Sequence, residues 1–570
     1  MMIQELEGVM SQALNAVGVD LPEGFQVQVE SAADLRFGDY QSNAAMILAK
    51  RLRTNPREFA AKLIDVMELG DLAVADIAGP GFINFRVTHS AWSKRMSSLL
   101  GDDRLGVALA SPAQTIVVDF SAPNVAKPMH VGHIRSTIIG DSLSRIARFL
   151  GHEVITDNHI GDWGTQFGMI IHGWKTVLNE SDLEADPVAE LLRVYRTVNA
   201  LCGEDDAVRE TCKQELVKLQ GGDAENLKIW EKCVDLSKQG LQGIYDRLDV
   251  GFDHWYGESF YNDRLAPLVD EMLESGVARE SEGAVCVFFD GDAKLDDKPA
   301  IVRKADGGFL YATTDLATID FRVQQWHADQ IWYVVGAPQQ LHFQQIFEAT
   351  RKRGQNPSMH HIAFGSILGE DRKLMKTRSG DNVQLVDVLD EAVERADRVI
   401  GEKNPDMNPT ERAEVASIVG IGSVKFAELS QHRMTDYVFS WDRMLALQGD
   451  TAPYLQYSYV RVRSIFRKLD GQMNIDPSAL SIEADAEVHL ARMLVRFGET
   501  VPILLDDFRP NLLANYLLEL AKAFHSFFEA CPVLKSEGET QNTRLALCEL
   551  TSQVLEKGLG LLGIEVPERM

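Results

Sequence analysis

The stretch of residues 115–168 constrains the fold of this chain more than any other. It opens with an apolar run typical of a β-strand, residues 115–120, followed by a loop containing Pro, Asn, Lys and Gly. Apolar side chains then recur with the spacing of one helix face, at Ile139, Leu143, Ile146 and Leu150. Gly151 follows, where a helix C-terminus is expected, and residues 154–156 read as a second strand. This order predicts a βαβ unit with parallel strands.

The loop and the helix start of such a unit lie at the carboxyl edge of the sheet, where ligands bind. The free N–H groups and positive dipole end of a helix suit phosphate, and Gly132 lets a nucleotide approach the backbone closely. His130 and His133 stand three residues apart at this point. Both imidazoles can donate hydrogen bonds to oxygens that gain charge as a phosphoryl bond breaks, so the pattern predicts a nucleotide site.

The segment His130-Val131-Gly132-His133 resembles the His-Ile-Gly-His signature of class I aminoacyl-tRNA synthetases. Residues 124–130 (NVAKPMH) and 161–168 (GDWGTQFG) resemble the arginyl branch of that class. The resemblance implies ATP as a substrate, bound at Gly132 and the two histidines, with Mg²⁺ on its phosphates and Lys127 sharing the work there. It also implies L-arginine and tRNA(Arg) as partners, and an activation step that needs bound tRNA.

Composition is that of an ordinary globular chain. Its 570 residues are too many for one hydrophobic core, and no apolar run reaches the length needed to span a bilayer. The six cysteines are widely spaced without a Cys-x-x-Cys pair, which favours reduced thiols in the cytoplasm and argues against a zinc site. A formal net charge of −27 excludes long-range attraction to RNA, so local basic patches would have to supply phosphate contacts.

Residues 1–110 are predicted to form a separate α/β module. The segment 37–43 (FGDYQSN) precedes a helix expected from Ala44, and a turn at residues 78–81 precedes a strand that begins at Phe82. This module resembles the N-terminal domain of arginyl-tRNA synthetases, which contacts the tRNA elbow. The resemblance gives four candidate tRNA contacts: Tyr40, Asn43, Arg51 and Phe82.

Residues 111–407 are predicted to form the catalytic domain, interrupted by a charged helical insertion at about residues 170–250. We expect Gly203, the pair Gly221-Gly222 and Gly240 to cap or break the helices of this insertion. The insertion is too short for a separate editing domain.

Polar side chains follow the strands in the second half of this domain. Two carboxylates, a phenol and an amide at strand ends suit a planar cation, because paired carboxylates match the donor fork of a guanidinium. The residues at positions that line the amino-acid pocket in arginyl-tRNA synthetases are Asn124, Glu258, Tyr311, Asp315 and Gln339.

A basic loop is predicted at residues 369–380 (GEDRKLMKTRSG), with glycine at each end to permit motion. Four basic residues within seven can reach over a triphosphate and offset its charge as pyrophosphate leaves. Its position matches the Lys-Met-Ser-Lys-Ser loop of class I synthetases, with Leu374-Met375 in place of Met-Ser. The Lys-x-x-Lys spacing is kept, so Lys373 and Lys376 join Lys127, His130 and His133 as predicted catalytic residues, and Lys376 as a predicted ATP ligand.

Residues 408–570 are predicted to be helical. The segment 450–468 combines aromatic and basic residues along one helix, a mixture that suits recognition of single-stranded loops. It resembles the anticodon-binding domain of arginyl-tRNA synthetases, although Tyr459 stands where that family commonly has His. The candidate tRNA contacts here are Tyr454, Tyr457, Arg461 and Met570.

Together these features predict a multidomain α/β protein. A Rossmann-like class I synthetase domain with a parallel sheet would lie between an N-terminal α/β tRNA-binding domain and a C-terminal all-α anticodon-binding domain. We expect a cytoplasmic monomer that joins arginine to tRNA at the expense of ATP.

Three alternatives stay open. A class I synthetase for another amino acid is the first, although the lack of Cys and His metal ligands disfavours the cysteinyl branch. A smaller His-x-Gly-His nucleotidyltransferase would not need the helical C-terminal domain. A non-catalytic RNA-binding relative would be expected to have lost His130, His133 or the pocket carboxylates, and all are present.

Overall fold

The computed structural model describes residues 2–32, 34–369, 371–373, 375, 383–469 and 475–570. The first part of the chain forms a sheet of antiparallel strands in the order β1-β2-β4-β3, flanked by helices. Its elements are α1 (Met2–Ala16), β1 (Glu30–Ser31), β2 (Tyr40–Ser42), α2 (Ala44–Leu52), α3 (Pro56–Val66), β3 (Ala73–Ala78), β4 (Phe82–Val87) and α4 (His89–Leu100). The predicted α/β module, with a helix from Ala44 and a strand from Phe82, is confirmed.

The βαβ unit follows and is also confirmed. It consists of β5 (Thr115–Phe120), α5 (Val131–Phe149) and β6 (Glu153–Asp157), and the two strands pair in parallel. Three of the four side chains predicted on one helix face, Ile139, Leu143 and Ile146, are buried in α5. Gly151 follows the helix with φ +91°, a conformation that costs glycine no steric strain.

A run of helices then forms the predicted insertion: α6 (Gln166–Thr176), α7 (Glu180–Ala185), α8 (Pro187–Glu204), α9 (Asp206–Gln220) and α10 (Ala224–Arg247). The Gly221-Gly222 pair separates α9 from α10, as expected. Gly203 lies in the last turn of α8, one residue before the helix ends, so a break is found where it was expected. The prediction for Gly240 is wrong, because this residue lies inside α10. A Cβ at Gly240 would lie 2.5 Å from Cγ2 of Val188, so this glycine permits close helix packing rather than a break.

The chain then returns to the central sheet. The elements are α11 (Asn262–Glu274), β7 (Ala278–Ser281), β8 (Ala284–Val287), β9 (Ala300–Arg303), α12 (Tyr311–Gln325), β10 (Gln330–Val334), α13 (Gln340–Lys352), β11 (Ser358–His361), β12 (Ile367–Leu368) and α14 (Leu385–Lys403). Strands β11, β10, β5 and β6 pair in that order, all in parallel, which confirms the Rossmann-like sheet. The carboxyl ends of its strands therefore meet at one edge, beside the start of α5.

The last part is mainly helical, as predicted. It contains α15 (Pro409–Leu429), β13 (Tyr437–Val438), α16 (Trp441–Met444), α17 (Ala452–Arg467), α18 (Asp485–Thr500), α19 (Pro510–Ala530) and α20 (Gly538–Leu561). None of the helices in the described ranges is long and apolar enough to cross a membrane.

Helix α5 connects the central sheet with the C-terminal helices. Arg135 Nε lies 2.9 Å from Glu428 Oε2 on α15, and both side chains are buried. The Ser142 hydroxyl donates to the Leu561 carbonyl at the end of α20, at 3.1 Å. The helix that begins at the two histidines is therefore held on its far side by the C-terminal part of the chain.

The N-terminal module also docks on the C-terminal helices. Asp39 forms a buried ion pair with Arg492 on α18, in which Arg492 Nε lies 2.8 Å from Asp39 Oδ1. The Tyr40 hydroxyl donates to Glu499 Oε1 on the same helix, at 2.9 Å. The two residues that follow Gly38 therefore form a contact between parts of the chain that are distant in sequence.

Candidate functional site

The start of α5 is built by the two histidines themselves. His130 is the N-cap, and its Nδ1 accepts from the Gly132 N–H at 3.1 Å, while Nδ1 of His133 accepts from the His130 N–H at 3.2 Å. The ring centroids lie 4.0 Å apart. Because both Nδ1 atoms accept hydrogen bonds, each neutral ring carries its proton on Nε2 and can donate from that atom.

Burial keeps both rings uncharged. It lowers the pKa of His130, and burial with the nearby His130 lowers the pKa of His133 to about 4. Near neutral pH the pair therefore offers two N–H donors without a positive charge. That property suits stabilisation of phosphate oxygens by hydrogen bonding.

Gly132 is required by this reciprocal capping. A Cβ at this position would lie 2.8 Å from Cε1 and 2.9 Å from Nδ1 of the His130 ring. Any larger residue would push the imidazole away from the helix start. Gly132, predicted to let a nucleotide approach the backbone, therefore also places the His130 ring.

The basic side of the site is only partly described. The Lys127 ammonium lies 5.0 Å from the centroid of the Tyr195 ring on α8. Lys373 is exposed, and Lys376 lies outside the described residues. The segment that follows the basic loop returns to the histidines, since the Val131 N–H donates to the Val383 carbonyl and the Leu385 N–H to the Met129 carbonyl, both at 2.9 Å. Residues 383–385 are thus anchored beside the start of α5.

A cluster of acidic side chains lies beyond the ends of β5 and β6. Burial, and then the carboxylates of Asp162 and Asp315, raise the pKa of Glu258 to about 7, and His159 opposes the shift. Asp162 is held by Ser259, whose N–H and hydroxyl donate to it at 2.8 and 2.7 Å. The carboxyl groups of Glu258, Asp162 and Asp315 thus lie near one another in a partly buried pocket, an arrangement that favours a cationic ligand.

Three of the predicted pocket residues lie at the starts of α12 and α13. Tyr311 and Asp315 are four apart on α12 and share a face, and Tyr311 is 67% exposed. Gln339 is the exposed N-cap of α13. Asp315 Oδ2 lies 2.5 Å from Nε2 of His342, which is in the first turn of α13. The two helix starts are therefore joined at the side chain predicted to bind a guanidinium.

Asn124 lies on the other side, in the loop after β5. It pairs with Gly161 in a parallel bridge, and its side chain is exposed. A Cβ at Gly161 would lie 2.2 Å from Asn124 Oδ1, so glycine is needed there. The segments that resemble arginyl-tRNA synthetases at residues 124–130 and 161–168 are thus adjacent in space.

A fully buried ion cluster lies under the acidic pocket. One Nη of Arg322 on α12 reaches Asp119 Oδ2 on β5 at 2.7 Å and Asp157 Oδ2 on β6 at 2.8 Å. Burial raises the pKa of Asp119, and Arg322 opposes that shift. This arginine provides a permanent positive charge that fixes α12 to the sheet beneath Asp315.

The candidate tRNA contacts of the N-terminal module differ in exposure. Asn43 and Arg51 are exposed and Phe82 is half-buried. Tyr40 is only 1% exposed, because its ring packs inside the module and its hydroxyl binds Glu499. The expectation that Tyr40 contacts tRNA is therefore corrected: it contributes to the domain contact instead.

The candidates on α17 form a small group. The Tyr454 ring lies 5.5 Å from the His525 ring, and Arg461 donates to Nδ1 of His525 at 3.0 Å. Tyr457 is 44% exposed on the same helix. Met570 is half-buried and packs against the apolar cluster between α14 and α15.

Sequence reasoning missed three residues of the site: His159, Arg322 and His342. His159 lies two residues past the end of β6, and His342 follows Gln339 by three residues, so strand-end placement could have singled out both. Arg322 lies in the last turn of α12, where a basic residue is ordinary, so no sequence signal marks it as part of the site.

Comparison with known protein families covers nearly the whole chain. A profile described as tRNA synthetases class I (R), catalytic domain, matches residues 95–441. The arginyl tRNA synthetase N terminal domain matches residues 4–87, and the DALR anticodon binding domain matches residues 455–570.

Individual proteins agree. The arginine–tRNA ligase of Aliivibrio salmonicida is 46% identical over 570 residues, with 98% of each chain covered. That of Laribacter hongkongensis is 45% identical over 583 residues, with 100% of this chain and 99% of the relative covered. The crystal structure of the Plasmodium falciparum arginyl-tRNA synthetase superposes with a TM-score of 0.83 at 27% identity, covering 100% of this chain and 99% of the other.

Proposed function

Because this chain belongs to the arginyl-tRNA synthetase family, we infer that it is an arginine–tRNA ligase. It activates L-arginine with ATP to arginyl-adenylate and pyrophosphate, then transfers arginine to the 3′-terminal adenosine of tRNA(Arg) and releases AMP. The acidic pocket carries this inference, since the Asp315 carboxylate lies close enough to Glu258 to help raise the pKa of that carboxyl. Paired carboxylates match a guanidinium better than any other common side-chain cation.

In the first step the arginine carboxylate attacks the α-phosphorus of ATP, and the bond to pyrophosphate breaks. We assign His130 and His133 to the phosphate oxygens, where neutral Nε2–H donors stabilise developing charge without trapping the product as a cation would. Lys127, Lys373 and Lys376 offset the charge of the leaving pyrophosphate. Asn124, Glu258, Tyr311, Asp315 and Gln339 hold the arginine.

Mg²⁺ belongs to the substrate in this proposal. The described residues contain no group of three or more His, Cys, Asp or Glu arranged to hold a metal ion. This fits an ion that enters on the phosphates of ATP, since Mg²⁺ bound to nucleotides takes few protein ligands.

In the second step a ribose hydroxyl of the terminal adenosine attacks the arginyl carbonyl, and AMP leaves. We propose that Asn43, Arg51 and Phe82 contact the tRNA elbow and that Tyr454, Tyr457, Arg461 and Met570 lie at the anticodon. Aromatic faces can stack on unpaired bases, and Arg461 can contact phosphate.

We further propose that the enzyme acts as a monomer in the cytoplasm. One chain supplies residues for every substrate, so no second copy is needed. Its six cysteines are buried free thiols, a state that a reducing compartment maintains. Light scattering at working concentration measures the mass, and a dimer would contradict the proposal.

ATP–pyrophosphate exchange over a panel of amino acids, with and without tRNA, tests the function. We expect exchange with arginine, dependent on added tRNA. Exchange with lysine or glutamate but not arginine would overturn the substrate, and no exchange with any amino acid would favour a non-catalytic relative. Lys127→Ala and Lys376→Ala should each lower the exchange rate, and near-normal turnover in either would remove that residue from the proposal.

A further inference from the structure

His342 joins the two helix starts that carry the arginine pocket. Its Nε2 lies 2.5 Å from Asp315 Oδ2, and the two side chains are 27% and 18% exposed. Within the described residues, no other side chain forms a hydrogen bond with the Asp315 carboxylate. The contact is therefore what fixes the rotation of that carboxylate.

The His342 ring is itself held in place. It packs edge-on against Phe343, with 5.4 Å between ring centroids, and Phe343 stacks on His361 at 4.7 Å. His361 is anchored in turn by a hydrogen bond between Nε2 and the Val335 carbonyl, at 3.0 Å. The His342 donor to Asp315 is thus held in place by contacts that lead, through Phe343 and His361, to β11 and the end of β10.

This arrangement leaves one carboxylate oxygen for a ligand. Oδ2 of Asp315 is taken by His342, so Oδ1 remains to accept from a cation in the pocket. The same contact links α12, which carries Tyr311 and Asp315, to α13, which begins after Gln339. Losing it would free the carboxylate to rotate.

We propose that His342 is a positioning residue for arginine: it holds Asp315 so that Oδ1 faces the guanidinium. The inference rests on the proposed function, because it assigns Asp315 to the bound arginine. His342 itself does not contact the substrate. Its effect is on arginine recognition, not on ATP or on the transfer step.

Aminoacylation kinetics at saturating tRNA test this, with His342→Leu to remove the donor and His342→Gln to keep an amide N–H near the position of Nε2. A hydrogen bond to a charged group changes affinity by roughly tenfold or more. We therefore expect His342→Leu to raise the arginine KM at least about tenfold, with the ATP KM changed less than about twofold. His342→Gln should recover most of the loss.

Gln345→Ala is the matched control, since Gln345 lies one turn further along α13 and donates to the Lys298 carbonyl at 2.9 Å, away from Asp315. It should keep the arginine KM of the unchanged protein. A normal arginine KM in His342→Leu, or equal losses in the arginine and ATP KM without recovery in His342→Gln, would overturn the positioning role. Failure of the unchanged protein to charge arginine would instead overturn the proposed function. Circular dichroism of each variant establishes that it folds. The arginine KM and ATP KM of His342→Leu are then compared directly with those of His342→Gln.

Discussion

Raising the pH from 6 to 8 should strengthen arginine binding about tenfold, because burial raises the pKa of Glu258 to about 7. Only the ionised carboxylate can pair with a guanidinium. Below pH 7 the empty site is mostly protonated at Glu258, so binding must first release that proton. The affinity therefore falls as the pH falls, opposite to the effect expected if a histidine had to be charged.

The magnitude follows from the ionised fraction. For a pKa of about 7, the dissociation constant for arginine exceeds its value with Glu258 fully ionised by a factor of about 11 at pH 6 and about 1.1 at pH 8. His133 does not contribute this change, since its pKa is about 4, and burial moves the pKa of His130 downward, away from pH 7. The α-amino group of arginine stays charged across the range.

Equilibrium dialysis of labelled arginine against the protein at pH 6, 7 and 8 measures the effect. The Glu258→Gln variant should bind weakly and equally at all three values, because its amide does not titrate. His159 also faces Glu258, so His159→Gln is the second control and should keep the pH dependence. A slope that persists in Glu258→Gln, or that vanishes in His159→Gln, would refute the assignment to Glu258.

Three further changes have predictable effects. Gly132→Ala should lower kcat by roughly a hundredfold through displacement of the His130 ring, with little change in arginine KM, as steady-state kinetics can show. Arg322→Met should lower the free energy of unfolding by about 3–5 kcal/mol, because it leaves two buried carboxylates without their counter-ion, and urea denaturation measures the loss. Arg492→Ala should loosen the N-terminal module by leaving Asp39 buried without its counter-ion, which faster limited proteolysis between the module and β5 would reveal.

Local patterns in the sequence predicted the elements that frame the site. The βαβ unit could be predicted because helix and strand periodicity, the capping glycine and the short loops are all local signals. The family resemblance identified the pocket residues, whose roles stay predictions. Domain boundaries at about residues 110 and 407 also stay predictions.

Long-range partners could not be predicted in the same way. Tyr40 binds Glu499, which is 459 residues away in the chain. The residues around Tyr40 in the sequence therefore gave no sign that its side chain is buried. Asp315 and His342 are 27 residues apart in the chain, and only the packing of α12 against α13 brings the two side chains together. Gly240 was predicted to break a helix because glycine disfavours helices. Its actual role, close packing against Val188 on another helix, is a contact that the local sequence does not show.

The docking of the N-terminal module has a consequence for biosynthesis. Asp39 and Arg492 are 453 residues apart in the chain. At about 5–20 residues per second, a ribosome completes Arg492 roughly 20–90 s after Asp39. During that interval the nascent module lacks the partners of Asp39 Oδ1 and of the Tyr40 hydroxyl, so both atoms stay hydrated. The final docking of the module is a late event of assembly that follows synthesis of α18.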